Sequence, residues 1–183
     1  MLRRPFVLWF TGLPAAGKTT ISTLLAVELE REGVVVEHLD GDVVRTHLSR
    51  GLGFSKEDRD VNVERVAWVA SRVARAGAAV LVSMVSPYAD SRRRARELVE
   101  GQAAFVEVHV ATPLEQCIGR DPKGMYARAL AGDLADFTGV SAPYEEPVSP
   151  ELRLETTGRD ASDCVAEVRR TLQALGLLGG SGL

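Results

Sequence analysis

The eight residues 12–19, Gly-Leu-Pro-Ala-Ala-Gly-Lys-Thr, constrain the fold of this chain more than any other stretch. They follow the apolar run 6–10 and precede the stretch 18–32, which can form a helix. Their spacing matches the pattern GxxxxGK[ST] in the strand-loop-helix setting of a phosphate-binding loop. Such a loop wraps backbone N–H groups around phosphate at a helix N-terminus, whose dipole favours anions. The alternative is a plain glycine turn followed by a solvated lysine.

If the loop binds a nucleoside triphosphate, each chemical group in the pattern has a role. Gly12 and Gly17 permit close approach of the backbone, Lys18 reaches the β- and γ-phosphates, and the Thr19 hydroxyl ligates a nucleotide-bound Mg²⁺. The residues that this interpretation assigns to nucleotide binding are Gly12, Leu13, Pro14, Ala15, Ala16, Gly17, Lys18, Thr19 and Thr20.

Length and composition limit the classes of protein that this chain can belong to. A chain of 183 residues with 45% hydrophobic and 26% charged residues suits one globular domain, so we expect a single domain over 1–183. A net charge of −3 argues against a general nucleic-acid-binding surface. The first apolar stretch is too short for a signal peptide or a membrane span, which predicts a cytoplasmic protein. Cys117 and Cys164 lack metal-ligand spacing and are expected to be free thiols.

Apolar runs and amphipathic stretches alternate along the chain. Strands are predicted at 6–10, 34–39, 78–85, 104–111 and 152–156, and the main helices at 18–32, 42–48, 55–75, 86–100 and 162–175, with a further helix after Pro113. This alternation predicts an α/β fold with a parallel sheet and right-handed crossovers. Ligands of such sheets bind beyond the carboxyl ends of the strands, where the loop 12–19, Asp40 to Arg45 and Ser86 to Tyr88 should converge.

Residues 121–150 lose clear periodicity and contain several prolines and glycines. A loop of this length inside a compact domain is usually functional or disordered. Its Lys, Arg, Phe and Tyr content favours a mobile lid over the site. The glycine-rich stretch 179–182 is expected to be a frayed terminus.

Asp42 is the best candidate to complete the chemistry beside a bound triphosphate. It could enter the Mg²⁺ shell or accept the proton of a substrate hydroxyl, and Asp40 could share the metal. The alternative, a turn and helix cap at residues 40–42, is equally compatible with these residue types.

Arg45 lies about one helical turn after Asp42, and Arg59, Asn62 and Arg65 recur at similar spacing on the next helix. Together they could bind an anion by bidentate contacts, although an Arg-bearing helix face is more often merely solvated. The same default applies to Arg92, Arg93, Arg94 and Arg96.

Two further residues have open alternatives. Phe54 could stack on a base or fill the core. Ser86, at the end of an apolar strand, could contact substrate, accept a phosphoryl group, or cap the next helix.

Taken together, the motifs resemble the adenylylsulfate kinase family. The resemblance covers nearly the whole chain, and its parts are individually weak but specific in their order and spacing. They are 12–20, 39–42 with Arg45, 52–59 with Asn62 and Arg65, 86–88, 120–126, 137–139, 143–145 and 150–152.

The resemblance implies a P-loop kinase fold and ATP-dependent phosphorylation of the 3′-hydroxyl of adenosine 5′-phosphosulfate, with ATP and Mg²⁺ as cofactors. It implies catalytic roles for Asp42, Lys18 and Ser86, metal ligation by Thr19 and Asp42, and an ATP adenine near Arg120 and residues 157–160. The implied substrate-binding residues are Asp42, Arg45, Phe54, Arg59, Asn62, Val85, Ser86, Lys123, Phe137 and Thr138, with Phe54 and Phe137 on either side of the substrate adenine.

Three further expectations follow from the resemblance. The position of Ser86 is commonly assigned to a phosphoserine intermediate, although in-line transfer between two bound nucleotides needs no covalent step. The protein should be a homodimer, and it could be coupled to an ATP sulfurylase that is not part of this chain. No nucleic acid or membrane partner is expected.

The chain departs from the family pattern at several positions. Leu13-Pro-Ala-Ala16 replaces a Ser-Gly-Ala run, and Pro14 cannot donate a backbone hydrogen bond. Glu64 replaces a residue that is usually basic, and Ala89-Asp90 replaces a more polar pair. Two alternatives stay open, namely another small-molecule or nucleotide kinase with the same loop, and a nucleotide-dependent binding or regulatory module without transfer activity. The altered loop and Glu64 motivate the second.

Overall fold

The computed structural model of the chain describes residues 2–179, so the predicted frayed terminus falls outside the described residues except for Gly179. The strands in this range are β1 Phe6–Thr11, β2 Val36–Asp40, β3 Ala79–Ser83, β4 Ala104–Val110 and β5 Leu152–Leu154. The helices are α1 Lys18–Arg31, α2 Gly41–His47, α3 Lys56–Arg75, α4 Ala89–Glu100, α5 Leu114–Arg120, α6 Met125–Leu130 and α7 Ala161–Ala174.

All five strands form one parallel sheet in the order β2-β3-β1-β4-β5. The central strand β1 pairs with β3 and β4, so that Leu8 lies opposite Leu81 on one side and Val106 on the other. The predicted α/β fold with a parallel sheet is therefore confirmed. Because every strand points the same way, the loops after β1, β2 and β3 emerge at the same edge of the sheet.

Alternation along β1 divides the core into two layers. Phe6, Leu8 and Phe10 pack into a cluster with the apolar faces of α1 and α7. Val7 and Trp9 point to the opposite face and pack with α3 and α4. Every residue of β1 is buried, as expected for a central parallel strand covered by helices on both faces.

The long helix α3 begins where its sequence predicts. The Ser55 hydroxyl accepts a hydrogen bond from the backbone N–H of Asp58 at 3.2 Å, which satisfies one of the free donors of the first turn. The helix ends at Arg75, and Gly77 follows with a φ of 104°. The cap places Phe54 and Arg59 at the end of α3 that faces the edge of the sheet where β1, β2 and β3 end.

Some predicted boundaries are wrong. The strand predicted at 78–85 ends at Ser83, and the helix predicted from Ser86 begins only at Ala89, because Ser86 has a φ of 37° that no helix or strand accepts.

The segment 121–150 contains the short helix α6, whose Tyr126 and Ala129 are buried. Six residues are too few to show helical periodicity in the sequence. Movement of this segment as a lid stays a prediction.

Candidate functional site

The phosphate-binding loop follows β1 directly, and its glycines are required by its backbone. A Cβ at Gly12 would lie 2.6 Å from the carbonyl oxygen of Val110, and Gly17 caps α1 with a φ of 109°. Ala15 also has a positive φ, 60°, which is the left-handed region that an alanine adopts only at a cost. The loop therefore has the strand-loop-helix setting predicted for it.

Lys18 folds back over the loop. Its ammonium group donates to the carbonyl oxygens of Gly12 and Leu13, both at 2.8 Å, and the residue is only 8% exposed. Burial lowers the pKa of Lys18 to about 8, although Cys117, Asp40 and Asp42 act in the opposite direction. A polyphosphate in the loop would supply this buried cation with the anionic partner that it otherwise lacks.

The Thr19 hydroxyl donates to the Asp40 carboxylate at 2.7 Å. The other oxygen of Asp40 accepts from the backbone N–H of Asp42 at 3.0 Å, so Asp40 is the N-cap of α2. Hydroxyl and carboxylate oxygens suit a hydrated Mg²⁺, which usually takes few protein ligands and completes its shell with water and phosphate. The described residues contain no group of three or more potential His, Cys, Asp or Glu ligands. The site therefore fits a nucleotide-bound Mg²⁺ held by Thr19 and Asp40.

Asp42 forms an ion pair with Lys123, whereas the Thr19 hydroxyl bonds to Asp40. Both side chains are exposed, and together they join α2 to the segment after α5. Of the two aspartates proposed at the metal, Asp40 is thus the one in contact with Thr19, whereas Asp42 is free of cap bonds through its side chain. The cap interpretation of residues 40–42 holds for Asp40 only.

Phe54 and two arginines form a stack at the opposite wall. The guanidinium carbons of Arg45 and Arg59 lie 4.2 and 5.6 Å from the centre of the Phe54 ring. Phe54 itself is 52% exposed, so the alternative that it fills the core is wrong. Burial lowers the pKa of both arginines, and the positive charge of Arg59 lowers that of Arg45 further. Two partly desolvated cations beside an exposed ring are suited to an anion attached to an aromatic base.

Arg59 also fixes the segment that carries Phe137 and Thr138. It donates to the carbonyl oxygens of Phe54 and Asp136 and, at 3.1 Å, to the Thr138 hydroxyl. Phe137 is buried and meets the Tyr126 ring edge-on, with 5.0 Å between ring centres.

Asn62, one turn further along α3, is buried and accepts a hydrogen bond from Ser49. By contrast, Arg65 donates to the Leu48 carbonyl and Glu64 is exposed, and neither lines the cleft. Glu64 therefore lies outside the proposed anion site.

Val85 and Ser86 form the third wall, after β3. The Thr11 hydroxyl donates to the Val85 carbonyl at 2.7 Å. The Ser86 side chain is buried, and its Oγ accepts from the indole N–H of Trp9 at 3.0 Å. Ser86 does not cap α4, whose N-cap is Tyr88, so the helix-cap alternative is wrong.

Arg120 lies at the other end of the phosphate-binding loop. It donates to the Ala16 carbonyl at 3.1 Å and, more weakly, to the Thr156 hydroxyl at 3.4 Å. Thr156 and Arg159 line the same end of the cleft, next to the loop 157–160 proposed for the ATP adenine. No sequence pattern singles out Thr156, which reaches this end of the cleft because β5 pairs with β4.

One cleft of about 750 Å³ brings most of the predicted residues together. Its lining includes Pro14, Ala15, Ala16, Gly17, Lys18, Thr19, Thr20, Asp42, Arg45, Phe54, Arg59, Asn62, Val85, Ser86, Arg120, Lys123, Phe137 and Thr138. Gly12 and Leu13 do not line it, and Leu13 instead contributes to a smaller pocket beside Gly139. Asp40, Met84 and Tyr126 line the cleft as well, and their positions follow from the strand ends and from α6.

Residues outside the cleft correct or complete other predictions. Cys117 and Cys164 are buried free thiols, as predicted. Arg92 is buried, so the expectation of a solvated arginine face on α4 is wrong at this position, although Arg93 and Arg94 are exposed. Across residues 2–179, no helix is both long and apolar enough to cross a membrane.

Comparison with known proteins identifies the family of this chain. The family model described as adenylylsulphate kinase matches residues 4–155. An adenylyl-sulfate kinase of Chloroflexus aurantiacus is 47% identical over 176 residues, which cover 96% of this chain and 93% of that protein.

Two solved structures extend the comparison. The structure of the Mycobacterium tuberculosis APS kinase CysC in complex with AMPPNP and APS superposes with a TM-score of 0.90 at 40% identity, covering 93% of this chain and 98% of that one. The hexameric APS kinase from Thiobacillus denitrificans gives 0.76 at 36% identity, and the match covers 97% of this chain but 30% of that one. On the family model and on these relatives, the chain belongs to the adenylylsulphate kinase family.

Proposed function

We propose that this protein transfers the γ-phosphoryl group of ATP to the 3′-hydroxyl of adenosine 5′-phosphosulfate, yielding 3′-phosphoadenosine 5′-phosphosulfate and ADP. The observation that carries the proposal is the layout of the cleft. A phosphate-binding loop and the Phe54 ring with Arg45 and Arg59 line the same cleft. The Asp42 carboxylate is near enough to both Lys18 and Arg45 to oppose the lowering of their pKa by burial. A volume of about 750 Å³ lies within the range of ligand pockets, so the two different linings, not the size, support two nucleotides.

ATP binds in this proposal with its phosphates in the loop 12–19. Backbone N–H groups of the loop and the N-terminus of α1 neutralise the phosphates, and the Lys18 ammonium exchanges its two carbonyl partners for phosphate oxygens. Arg120 lies against the Ala16 carbonyl and marks the adenine side. Mg²⁺, when bound with ATP, would neutralise charge on the transferred phosphoryl group, and Thr19 with Asp40 are the residues placed to hold it.

Adenylyl sulfate occupies the other half of the cleft. Its adenine lies between Phe54 and Phe137, and its phosphosulfate faces Arg45, Arg59 and Asn62. Support comes from the exposure of the Phe54 ring and from the partly desolvated guanidinium groups around it. Val85, Ser86 and Thr138 contribute the remaining contacts at the walls.

Asp42 is assigned to the acceptor hydroxyl, whose proton it accepts as the phosphoryl group is transferred. Its exposed carboxylate is held by Lys123, which keeps a positive charge next to the site of transfer. Positioning and electrostatic stabilisation supply most of the catalysis in phosphoryl transfer. In this proposal Asp42 orients the acceptor hydroxyl, and Lys123 stabilises the negative charge on the transferred group. Closure of the segment 121–150 over the cleft would exclude water and prevent ATP hydrolysis.

The assay that tests this function measures ADP release from Mg-ATP with adenosine 5′-phosphosulfate, AMP, gluconate, shikimate or no acceptor. Formation of 3′-phosphoadenosine 5′-phosphosulfate with the first acceptor alone supports the proposal. Turnover with another acceptor would make the protein a different small-molecule kinase. ATP binding without transfer to any acceptor would favour a binding module, and would direct attention to Pro14 and Ala15.

We also propose that the protein is a homodimer. Trp68 is 54% exposed on α3, and the exposed Val61 lies two turns earlier on the same face of that helix. Exposed apolar side chains that share one face favour association. Light scattering at micromolar concentration measures the mass directly, and a mass of one chain would refute the homodimer. Supply of the acceptor by an ATP sulfurylase, and a cytoplasmic location, stay predictions from the sequence.

A further inference from the structure

Arg92 is buried, which is unusual for an arginine on a surface helix. It belongs to α4, yet only 4% of it is exposed, whereas its neighbour Arg93 is exposed and pairs with Asp90 and Glu97. Its three nitrogens all donate to different acceptors: Nε to Glu107 at 2.8 Å, Nη1 to the Ser86 carbonyl at 2.8 Å, and Nη2 to the Glu145 carbonyl at 2.6 Å. Taking a cation out of water is costly, and here the cost is offset because every nitrogen has an acceptor, so the surrounding groups are arranged around this guanidinium.

Two of those acceptors are backbone carbonyls, one of Ser86, which lines the cleft, and one of Glu145, which lies further along the chain than Phe137 and Thr138 and outside the lining. Ser86 belongs to the segment after β3 and has a φ of 37°, a conformation that costs a non-glycine residue free energy and persists only where its surroundings impose it. Arg92 binds its carbonyl, and the Trp9 indole donates to its side chain. The strained conformation of Ser86 is thus held by hydrogen bonds from two elements, α4 through Arg92 and β1 through Trp9.

Glu145 follows the segment that carries Phe137 and Thr138. Its backbone N–H donates to the Pro87 carbonyl at 2.8 Å, and its carboxylate accepts from the backbone N–H of Ala89 at 2.7 Å. Next to it, the Tyr144 hydroxyl is 3.0 Å from the Thr11 hydroxyl, which in turn donates to Val85. Residues 144–145 are therefore hydrogen-bonded to residues 85–89. Arg92 adds a further link, because it donates to a backbone carbonyl in each of the two segments.

We infer that Arg92 is a positioning residue for the acceptor nucleotide, because it joins the wall of Val85 and Ser86 to the chain that leads out of the wall of Phe137 and Thr138. The inference rests on the proposed function and adds to it a residue that does not touch the substrate. Arg92 makes no hydrogen bond to the phosphate-binding loop, whose backbone carbonyls accept from Lys18 and Arg120. The two nucleotide sites should therefore respond differently to its loss.

Glu107 compensates the buried charge without contacting either wall. It lies on β4, and Arg96 approaches it at 3.9 Å while also pairing with Glu151. Burial raises the pKa of Glu107, and the two arginines oppose that shift. Glu107 thus anchors Arg92, and its own loss would act through the guanidinium group.

The test compares Arg92→Lys with the matched control Arg93→Lys. Lysine keeps the charge but cannot reach three acceptors in a planar arrangement. We expect Arg92→Lys to raise KM for adenylyl sulfate about tenfold or more, as for loss of a charged hydrogen bond, while the Kd of Mg-ATP changes less than about twofold. Arg93→Lys should match the wild type in both.

A second variant covers the case in which Arg92→Lys does not fold. Glu145→Ala removes a tie between the same two segments from an exposed residue, and should raise KM for adenylyl sulfate by about two- to fivefold without changing Mg-ATP binding. An unchanged KM for adenylyl sulfate, or an equal loss of both nucleotides, would overturn the inference. Wild-type turnover in the same assay reports separately on the proposed function, and its absence would overturn both.

Discussion

Asp42 and Lys123 form an ion pair across the mouth of the cleft, although 81 positions separate them in the sequence. The pair joins the helix after β2 to the segment that the sequence predicts as a lid. Because the Asp42 carboxylate makes no cap bond, it is free to turn toward an acceptor hydroxyl when the cleft is occupied. Its neighbour Asp40 is occupied by Thr19 and by the first turn of α2.

Asp42→Asn should therefore lower kcat at least about a hundredfold, the usual contribution of a general base. The Kd of Mg-ATP should change by less than about threefold, since Asp42 makes no contact with the loop 12–19. Steady-state kinetics and titration calorimetry measure the two effects. Asp90→Asn, on the exposed face of α4, is the control. Unchanged turnover in Asp42→Asn would remove this residue from the catalytic role.

Arg59→Ala should mainly weaken acceptor binding. The side chain packs beside Phe54 and donates to Thr138, the neighbour of Phe137. Its loss therefore removes a positive charge and also the contacts that hold Phe54 and the segment of Phe137 in place. We expect KM for adenylyl sulfate to rise roughly ten- to hundredfold, as for loss of a charged hydrogen bond, with little change for Mg-ATP. Arg75→Ala, at the exposed end of the same helix, should have no effect. An equal loss of ATP affinity would contradict this assignment.

The lowered pKa of Lys18 predicts how nucleotide affinity depends on pH. The free protein has a Lys18 pKa of about 8, and bound phosphate must raise that value because it favours the charged ammonium. Binding therefore takes up a proton above pH 8, and the affinity for Mg-ATP should fall as the pH rises from 8 toward the pKa of the complex. Calorimetry in buffers of different ionisation enthalpy measures the uptake.

Lys18→Arg is the control for that pH dependence, because a guanidinium group stays charged throughout the range. The variant should bind Mg-ATP more weakly, since the loop geometry is built for an ammonium group, but without proton uptake between pH 8 and 9.5. Proton uptake of equal size in both proteins would assign the titration to another group.

Ala15→Gly should stabilise the free protein. At a φ of 60° an alanine costs about 1 to 2 kcal/mol of stability, which glycine would recover. Part of that gain is lost again, because glycine increases the conformational entropy of the unfolded chain. A net gain of about 0.5 kcal/mol corresponds to a rise in Tm of about 1 to 2 °C. The neighbouring Ala16 is buried without a positive φ, so Ala16→Gly should instead lower Tm. Thermal unfolding without ligands distinguishes the two, and equal shifts would refute the strain at Ala15.

Ser86→Ala should retain most of the turnover but lose stability. Removing the hydroxyl leaves the buried indole N–H of Trp9 without its acceptor, which costs about 1 to 3 kcal/mol. Denaturant unfolding measures that loss, and the kinase assay measures what remains of kcat. Complete loss of transfer in a folded Ser86→Ala protein, with phosphate found on Ser86 of the wild type, would support a covalent intermediate instead.

Local sequence determined the parts of this protein that depend on neighbouring residues. The spacing from Gly12 to Thr19 predicted the phosphate-binding loop, Ser55 with Asp58 predicted the start of α3, and the apolar runs predicted all five strands within a few residues. These features follow from backbone geometry and hydrogen bonding over one or two turns, which the sequence states directly.

Tertiary structure alone decided which polar residues meet. Nothing in the local pattern distinguishes the buried Arg92 from the exposed Arg93, or assigns Asp40 rather than Asp42 to the Thr19 hydroxyl. The pairing of Asp42 with Lys123 and of Ser86 with Trp9 likewise joins positions far apart in the chain. Such contacts depend on the order and register of strands in the sheet, and on the requirement that buried polar groups find partners, which is a property of the packed whole.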